Sequence, residues 1–445
     1  MAETPGSTTV STKLQRIAML AKQAPDTALT TLAHHIDLDW LREAYRRTRK
    51  DGATGVDGRD AQTYAANLME NLQGLLERAK AGTYRAPPVR RVHIPKGDGT
   101  KTRPIGIPTF EDKVLQRAVA MVLEAVYEQD FLPCSYGFRP GRSAHQALQL
   151  LRDQLMKMGG GWIVEVDIQH FFDTLDHGHL QAMLRRRVRD GVLLRLVGKW
   201  LNAGVMADGC TTHPQAGSPQ GGVISPLLSN VYLHEVLDVW FEQQVKPRLR
   251  GRAMLIRYAD DAILLFSDEA DARRVMDVLP KRFGRYGLTL HPEKTRLVPF
   301  QRPRTPASKD NGGSSGSGTF DLLGFTHFWA RSRKGYWVVK QQTATNRMSR
   351  ALGRIRAWCR TFRHRPLREQ FQTLTLKLRG HYAYYGITGN SGALSRFRQE
   401  AIRIWKKWLG RRSRQKDLPW SRFVAFLARN PLPAARIVHH HAANP

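Results

Sequence analysis

Apolar residues recur along this chain with two different periods, and the change of period divides it into regions. Up to residue 85 the spacing is helical, so the pattern predicts a helical N-terminal region. Between 86 and 340, short β-branched and aromatic runs predict strands among further helices. From 341 to 430 helical spacing returns, and a short tail follows at 431–445. A polar Gly- and Ser-rich stretch, 303–319, is predicted to be a flexible loop inside the strand-containing region.

The segment Met254–Ser267 places two adjacent carboxylates between two apolar runs. The β-forming runs predict strand, tight turn and strand, with Asp260 and Asp261 at the turn. Adjacent like charges are best tolerated beside a cation, and a divalent metal bound through oxygen is the natural candidate. An ordinary solvated turn is an equally good interpretation of this segment alone, because Asp is a common turn residue.

A second apolar run ends in a carboxylate. Ile163, Val164 and Val166 predict a short strand that stops at Asp167. Such an Asp suits metal binding better than packing, and the two segments can form neighbouring strands. Together with Asp260 and Asp261 it would make a site for two Mg²⁺ ions, with Mn²⁺ as a substitute, because Mg²⁺ needs few protein carboxylates beside water and substrate phosphates.

Two loops have the composition of phosphate-binding segments. Residues 86–112 predict a basic hairpin in which Lys96 and Arg103 would neutralise a triphosphate, although a solvated charged hairpin explains the pattern equally well. Gly221 and Gly222 precede a predicted helix and let the backbone approach a ligand closely.

The charge of the chain is its most unusual property. Its 445 residues carry 70 Lys and Arg against 38 Asp and Glu, a net charge of +32. Such a surplus calls for a polyanion, either nucleic acid or an anionic membrane. No apolar run is long enough to span a membrane and the N-terminus lacks a secretory pattern, so we expect a nucleic acid partner in the cytoplasm. The three cysteines show neither zinc spacing nor a disulfide framework.

Much of the charge lies near the C-terminus. Residues 341–445 contain 22 Lys and Arg against three acids, a surplus of +19. Apolar residues there, including Trp405 and Trp408, are predicted to pack inward, whereas the basic residues face solvent. The residues that we expect to contact nucleic acid are Arg139, Arg142, Arg347, Arg350, Arg354, Lys377 and Arg379.

These segments occur in the order of a known family. The chain resembles a group II intron-encoded reverse transcriptase/maturase of the bacterial type over nearly its full length. The motifs that carry the resemblance are GVDG (55–58), IPKGDGTKTRPIGIP (94–108), SYGFRPGRSAHQAL (135–148), VDIQHFFD (166–173), SPQGGVISPLLSNVYL (218–233), YADD (258–261), GLTLHPEKT (287–295), FDLLGF (320–325), LRGHYAYYGITGN (378–390) and PLPAARIVH (431–439). Each motif is weak alone, but the ordered set is specific.

The resemblance implies an α+β right-hand polymerase. The N-terminal extension would end at residue 85, fingers and palm would span 86–340, and the thumb or maturase-specific (X) domain would span 341–430. No Cys-rich or His-Asn-His pattern follows residue 430, so no endonuclease domain is expected in the tail.

The resemblance also implies roles for individual residues. Asp167 and Asp260 would bind the metals directly with the Ile168 carbonyl, and Asp261 would support them. The remaining roles concern the incoming nucleotide, which would meet a steric gate against the 2′-OH at Phe172, a contact at Gln220, and a proton donor for pyrophosphate at Lys294.

The implied activity is RNA-directed DNA polymerisation coupled to intron RNA binding, splicing and mobility. The partners would be an RNA template, a DNA primer or target, and dNTPs, with monomer and homodimer both open. Three alternatives are a mainly RNA-folding maturase, a domesticated enzyme of DNA repair or phage defence, and RNA synthesis. Phe172 argues against RNA synthesis, and the intact carboxylates argue against a purely structural role.

Overall fold

The computed structural model describes residues 5–96, 101–207, 210–212, 217, 221–303, 318–412 and 418–440. The α-helices are α1 (Pro5–Gln23), α2 (Leu38–Arg47), α3 (Ala61–Ala65), α4 (Leu68–Ala81), α5 (Phe110–Tyr127), α6 (Ala144–Met158), α7 (Phe171–Thr174), α8 (His177–Arg187), α9 (Gly191–Leu201), α10 (Ser225–Leu233), α11 (Glu269–Gly284), α12 (Thr345–Thr361), α13 (Leu367–Tyr385), α14 (Ser391–Gly410) and α15 (Trp420–Arg429). The strands are β1 (Val89–Lys96), β2 (Lys101–Ile107), β3 (Gly160–Val166), β4 (Val205–Ala207), β5 (Cys210–Thr212), β6 (Ala253–Tyr258), β7 (Asp261–Phe266), β8 (Arg296–Gln301), β9 (Phe320–Leu322), β10 (Phe325–Arg331) and β11 (Trp337–Thr343).

The chain forms two compact units. The first comprises residues 1–144 and 163–297, and the second comprises 145–162 and 298–445. This grouping differs from the domains expected at 85 and 340, which mark changes of sequence character and stay predictions. The expected loop at 303–319 falls almost wholly outside the described residues.

The N-terminal helices of the first unit begin at side-chain caps. Asp37 accepts a hydrogen bond from the Trp40 amide at the start of α2, and Asp60 accepts one from the Thr63 amide in α3. Trp40 is fully buried, and its indole N–H donates to the Ala118 carbonyl of α5 at 2.9 Å. The helical pattern predicted for this region is confirmed, because capped amphipathic helices bury their apolar face against a neighbour.

Two sheets position the candidate site. One has the strand order β2-β1-β4-β5, in which β1 and β2 form the predicted antiparallel hairpin. The other has the order β6-β7-β3-β8, so β7, which follows the paired carboxylates, lies next to β3, which precedes Asp167. The predicted neighbouring strands are therefore confirmed. After α10 the chain continues as a π-helix, His234–Val245.

The second unit contains the three-stranded sheet β11-β10-β9 and helices α6 and α12 to α15. Its helices share a core that includes Ile355, Leu378, Phe397 and the fully buried Trp405, with Trp408 partly buried against it. The predicted inward packing of the two tryptophans is confirmed. The segment after α15 packs on this core through buried Leu432, and the Val438 amide donates to the Gly386 carbonyl at 2.7 Å.

No helix in the described ranges is long and apolar enough to cross a membrane. Cys134 and Cys359 are free and buried, whereas the side chain of Cys210 lies outside the description.

Candidate active site

The paired carboxylates lie at a tight β-hairpin. Tyr258 of β6 pairs with Asp261 of β7, so Ala259 and Asp260 form the turn. Ala259 has a φ of +58°, a left-handed conformation that suits such a turn. Asp260 is half-buried and Asp261 is exposed, while both strands behind them are largely buried. The hairpin therefore holds Asp260 at a fixed position at the edge of the core.

A buried arginine supports this turn from behind. Arg257 is 0% exposed, and its guanidinium donates to both carboxylate oxygens of Asp238 at 2.7 and 2.6 Å. It also donates to the Asn230 side-chain oxygen and to the Ala259 carbonyl, both at 2.9 Å. The pair with Asp238 raises the pKa of Arg257 although burial opposes it, so the guanidinium stays charged. Sequence reasoning missed this support, whose only signal is an arginine in an otherwise apolar strand.

A loop segment extends the edge of β6. The Arg257 amide donates to the Cys134 carbonyl and the Tyr136 amide donates to the Arg257 carbonyl, each at 2.8 Å. The next residue, Gly137, lies so close to the turn that a Cβ there would be 2.3 Å from the Ala259 amide nitrogen. The structure thus explains the segment SYGFRPG as a brace for the turn that carries Asp260.

The two residues after Gly137 differ in exposure. Phe138 has a φ of +58° and is 56% exposed, an unusual conformation for a bulky residue. The Arg139 side chain is only 4% exposed and donates to the Glu128 carboxylate and to the carbonyls of Leu132 and Ser135. The expectation that Arg139 contacts nucleic acid is therefore wrong, because its donors are used inside the protein. Arg142, by contrast, is exposed.

Asp167 follows the end of β3 and already has a cationic partner. The Lys294 ammonium lies 3.1 Å from one of its carboxylate oxygens and 3.3 Å from the other. The His291 amide donates to the Asp167 carbonyl at 2.8 Å, and Ile168 forms a bridge with Leu290. The segment that contains Lys294, the predicted proton donor, is therefore hydrogen-bonded to the segment that contains Asp167, the predicted metal ligand. With 33% of its side chain exposed, Asp167 remains open to solvent.

Phe172 lies in the short helix α7, half-buried, with its ring 5.3 Å from that of Phe171. Gly217 packs directly against this helix, since a Cβ there would lie 2.9 Å from the carbonyl oxygens of Phe172 and Asp173. The Gly217 amide donates to the Leu175 carbonyl at 2.8 Å. The Gly-rich loop therefore starts beside the residue predicted to exclude the ribose 2′-OH.

The same loop ends against β2. Gly221 has a φ of +114°, and a Cβ there would lie 2.6 Å from the Gly106 carbonyl oxygen. The following Val223 amide donates to the Gln116 side chain at 2.8 Å. Gln220 and the side chain of Lys96 lie outside the described residues, whereas Arg103 is exposed on β2, opposite Ile94. Gly221 therefore lies against β2, and the close approach of this loop to a ligand stays a prediction.

The donor chemistry of the site suits a hard divalent cation. Asp167 and Asp260 offer only oxygen ligands and follow or precede the neighbouring strands β3 and β7. Among the residues whose placement is described, no three His, Cys, Asp or Glu side chains form a ready metal cluster. Instead, the Lys294 ammonium balances the charge of Asp167, so a positive charge at this carboxylate is part of the structure.

A second set of predicted residues meets in the second unit. Arg347, Arg350 and Arg354 of α12 and Lys377 of α13 line one cleft. Arg379 is exposed on α13 but is not among the residues that line this cleft. Sequence reasoning named these basic residues one by one, and the structure brings four of them together.

A carboxylate hairpin in the sheet β6-β7-β3-β8, in which the neighbouring strand β3 is followed by a second carboxylate, fits the class of template-directed nucleotidyltransferases. Comparison with known proteins identifies the family, since the model of the reverse transcriptase (RNA-dependent DNA polymerase) family matches residues 94–327. The chain belongs to this family, and the predicted enzyme class is confirmed.

The chain is also similar in sequence to individual proteins. The chain is 35% identical over 325 residues to protein YkfC of Escherichia coli, which covers 65% of this chain and 84% of YkfC. It is 36% identical over 226 residues to the group II intron-encoded protein LtrA of Lactococcus lactis, covering 50% of this chain and 37% of LtrA. A third relative is the mitochondrial nuclear intron maturase 2 of Arabidopsis thaliana, 30% identical over 181 residues, 32% of this chain and 24% of the maturase. The predicted resemblance to group II intron proteins is thereby confirmed.

Proposed function

We propose that this protein copies RNA into DNA at a site formed by Asp167 and Asp260, and that it does so on RNA of the group II intron type. The observation that carries the catalytic assignment is the brace around Asp260. A buried ion pair and a glycine backbone hold a half-buried carboxylate at a hairpin tip, which is more support than a solvated turn requires.

In this proposal Asp167, Asp260 and the Ile168 carbonyl hold two Mg²⁺ ions, for which Mn²⁺ can substitute. When bound, the ions supply Lewis-acid charge for activating the primer 3′-OH and for stabilising the departing pyrophosphate. Asp261 follows in β7 and supports the position of Asp260. Oxygen ligands and a position open to solvent fit this assignment.

Other residues act on the incoming dNTP. Phe172 limits space at the sugar, and Gln220 contacts the incoming nucleotide. Lys96 and Arg103 neutralise the triphosphate from the β1–β2 hairpin. The Lys294 ammonium protonates the leaving pyrophosphate, and its contact with Asp167 supports this role.

Primer extension on an RNA template tests the catalytic proposal. We expect Asp260→Asn to abolish dNTP incorporation and Asp261→Asn to reduce it less, because only the first is assigned as a direct metal ligand. Asp277→Asn, which removes an exposed carboxylate on α11, should retain full activity. Activity in Asp260→Asn equal to that of the unchanged protein would rule the site out.

We assign the two units to the parts of the expected right-hand polymerase. The first unit supplies fingers and palm, and helices α12 to α14 of the second supply a thumb or X domain that holds nucleic acid. The support is the 22 Lys and Arg against three acids beyond residue 340, a surplus of +19, and the four basic side chains gathered in one cleft.

The proposed RNA is that of a group II intron, and the support is the similarity to LtrA and to the plant maturase. A splicing assay with an intron RNA encoded beside the gene tests this step. We expect the protein to accelerate splicing and Asp260→Asn to splice as well as the unchanged protein, because RNA folding does not use the carboxylate. No acceleration by either protein would leave a polymerase without a maturase role.

A further inference from the structure

Helices α12, α13 and α14 enclose a cleft that combines a cationic rim with an aromatic floor. Its volume is about 320 Å³. Arg347, Arg350 and Arg354 are three and four residues apart on α12, so they share one helix face. Lys377, His381 and Tyr385 are each four residues apart on α13 and form the opposite wall. We refer below to these six residues and Phe397 as the thumb cleft.

Within the described residues, the positive charge on the rim of the thumb cleft has no acidic partner. None of its four cations forms an ion pair with an acid in the part of the chain that is described. The acids described in this region pair elsewhere, Glu369 with Arg365 and Glu400 with Arg403. Burial raises the pKa of Tyr385, and the positive charge of the three arginines opposes this shift. Like charges gathered in this way require an external anion.

The floor of the thumb cleft is uncharged, and two of its three rings are buried: Phe397 is 2% and His381 8% exposed, whereas Tyr385 is half-buried. The His381 ring stacks on Phe397 with centroids 3.6 Å apart and planes 15° apart, and it lies 4.6 Å from the Tyr385 ring. Burial lowers the pKa of His381 to about 4, so the imidazole is neutral at pH 7. Because Phe397 and His381 are buried, the half-buried Tyr385 is the aromatic ring that the cleft presents beside its cations. Proteins stack unpaired nucleobases on such rings.

We propose that the thumb cleft binds one unpaired nucleotide of a nucleic acid strand, its phosphate on the arginine rim and its base on the floor. The inference rests on the proposed binding of nucleic acid. It adds a preference for an unpaired nucleotide over a paired one, which a basic surface alone would not have. A cleft of about 320 Å³ lies at the small end of the roughly 300–1,000 Å³ found for small-molecule sites. A volume of this size suits a single nucleotide, which can enter the cleft when it has left the helical stack.

Fluorescence anisotropy with the full-length protein tests the proposal. The probes are a labelled RNA hairpin with one extruded adenosine in its stem, the same hairpin fully paired, and both sequences as DNA. We expect roughly tenfold tighter binding of the extruded form, the gain that one stacked base provides. A preference in the RNA pair, the DNA pair or both supports the cleft and shows which strand it accepts. Equal affinities within both pairs would overturn it.

Variants separate the floor from the rim. Tyr385→Leu should lose the preference for the extruded nucleotide, and Tyr385→Phe, which keeps the aromatic ring, should retain it. Arg354→Gln should weaken binding of every probe and reduce the salt dependence by about one phosphate contact. Arg356→Gln, an exposed residue of the same helix outside the cleft, serves as the charge-matched control and should leave the preference unchanged.

Different binding results would overturn the nucleotide site in the thumb cleft and the proposed function of the whole protein. Salt-dependent binding that does not distinguish the extruded nucleotide, or a preference that survives in Tyr385→Leu, would overturn the proposed role of the cleft and leave the proposed polymerase intact. Absence of salt-dependent binding to all four probes would contradict the proposed function as well.

Discussion

Arg257 and Asp238 form a fully buried, two-pronged ion pair directly behind the turn that carries Asp260. Neither side chain is exposed to solvent, and the guanidinium nitrogens lie 2.7 and 2.6 Å from the two carboxylate oxygens. The same guanidinium donates to the Ala259 carbonyl, so the pair links the interior of the first unit to the proposed catalytic turn.

Breaking this pair should cost both stability and activity. Arg257→Met or Asp238→Asn leaves a buried group without its partner, which typically destabilises by about 3–5 kcal/mol. The double variant Arg257→Met/Asp238→Leu should recover much of the free energy of unfolding but not primer extension, because the Ala259 carbonyl still lacks its donor. Urea denaturation and dNTP incorporation measure the two effects.

An exposed ion pair provides the control for the buried one. Arg273 and Glu269 of α11 form such a pair, and Arg273→Met should change stability by less than about 1 kcal/mol. Full polymerase activity in Arg257→Met/Asp238→Leu would show that the Arg257 guanidinium does not position the turn that carries Asp260.

Gly137→Ala should inactivate the enzyme through a steric clash. The added Cβ would lie 2.3 Å from the Ala259 amide nitrogen, and both partners are backbone, so the turn has to move. A displacement of the order of 1 Å at a catalytic group costs about 100-fold in rate. Gly74→Ala is the control, since Gly74 has open space around its Cα and lies inside α4, where alanine is preferred. Primer extension close to that of Gly74→Ala would contradict the bracing role.

Lys294→Gln should change the metal dependence and the rate in opposite directions. The ammonium competes with added cations for Asp167, so its loss should lower the Mg²⁺ concentration for half-maximal activity by about twofold to fivefold, the range of a partly exposed ion pair. The maximal rate should fall because the proton donor is lost. A Mg²⁺ titration of primer extension measures both quantities.

The matched variant for Lys294 is Arg296→Gln. Arg296 pairs with Glu165 instead of Asp167, so its removal should leave the Mg²⁺ midpoint unchanged. An unaltered maximal rate in Lys294→Gln would show that the lysine is not the general acid.

Phe172→Ala should admit ribonucleotides. Removing the ring opens space beside the sugar, and we expect discrimination between dNTPs and rNTPs to fall roughly 10- to 100-fold, as for other changes in pocket shape. Phe172→Tyr keeps the ring and should preserve discrimination. Single-nucleotide incorporation kinetics for a matched dNTP and rNTP decide the matter, and an unchanged ratio in Phe172→Ala would exclude the steric gate.

His327 should make the fold sensitive to mild acid. It is fully buried against Phe320, neither ring nitrogen has a partner in the described structure, and burial lowers its pKa to about 3. The unfolded chain takes up a proton near pH 6.5 and the folded chain does not, so stability falls as pH drops from 6.5 toward 3. The loss from this residue at pH 5 should be about 2 kcal/mol.

Substitution at His327 tests the origin of this acid sensitivity. His327→Leu should reduce the difference in urea midpoint between pH 7 and pH 5, and His381→Phe should reduce it further, since burial lowers the pKa of His381 as well. His364→Leu, at an exposed position, should not. An acid sensitivity that is identical in His327→Leu would mean that other groups cause it.

The sequence by itself determined the chemistry and the local geometry of the proposed site. The hairpin at Asp260 and the strand that ends at Asp167 follow from β-forming runs interrupted by carboxylates, which are patterns over a few residues. The close approach of Gly221 likewise follows from the lack of a side chain. Helical spacing was enough to place Trp405 in the core, because one face of such a helix must be buried.

Only the tertiary structure decided which distant residues meet. Arg257 finds Asp238 and Asn230, Gly137 finds Ala259, and four of the predicted basic residues converge on one cleft. It also removed Arg139 from the nucleic acid surface, since its burial depends on Glu128 and on loop carbonyls. The sequence shows the same charged residue whether its side chain faces solvent or a buried partner. Its role is set by the packing of segments far apart in sequence, which no local pattern encodes.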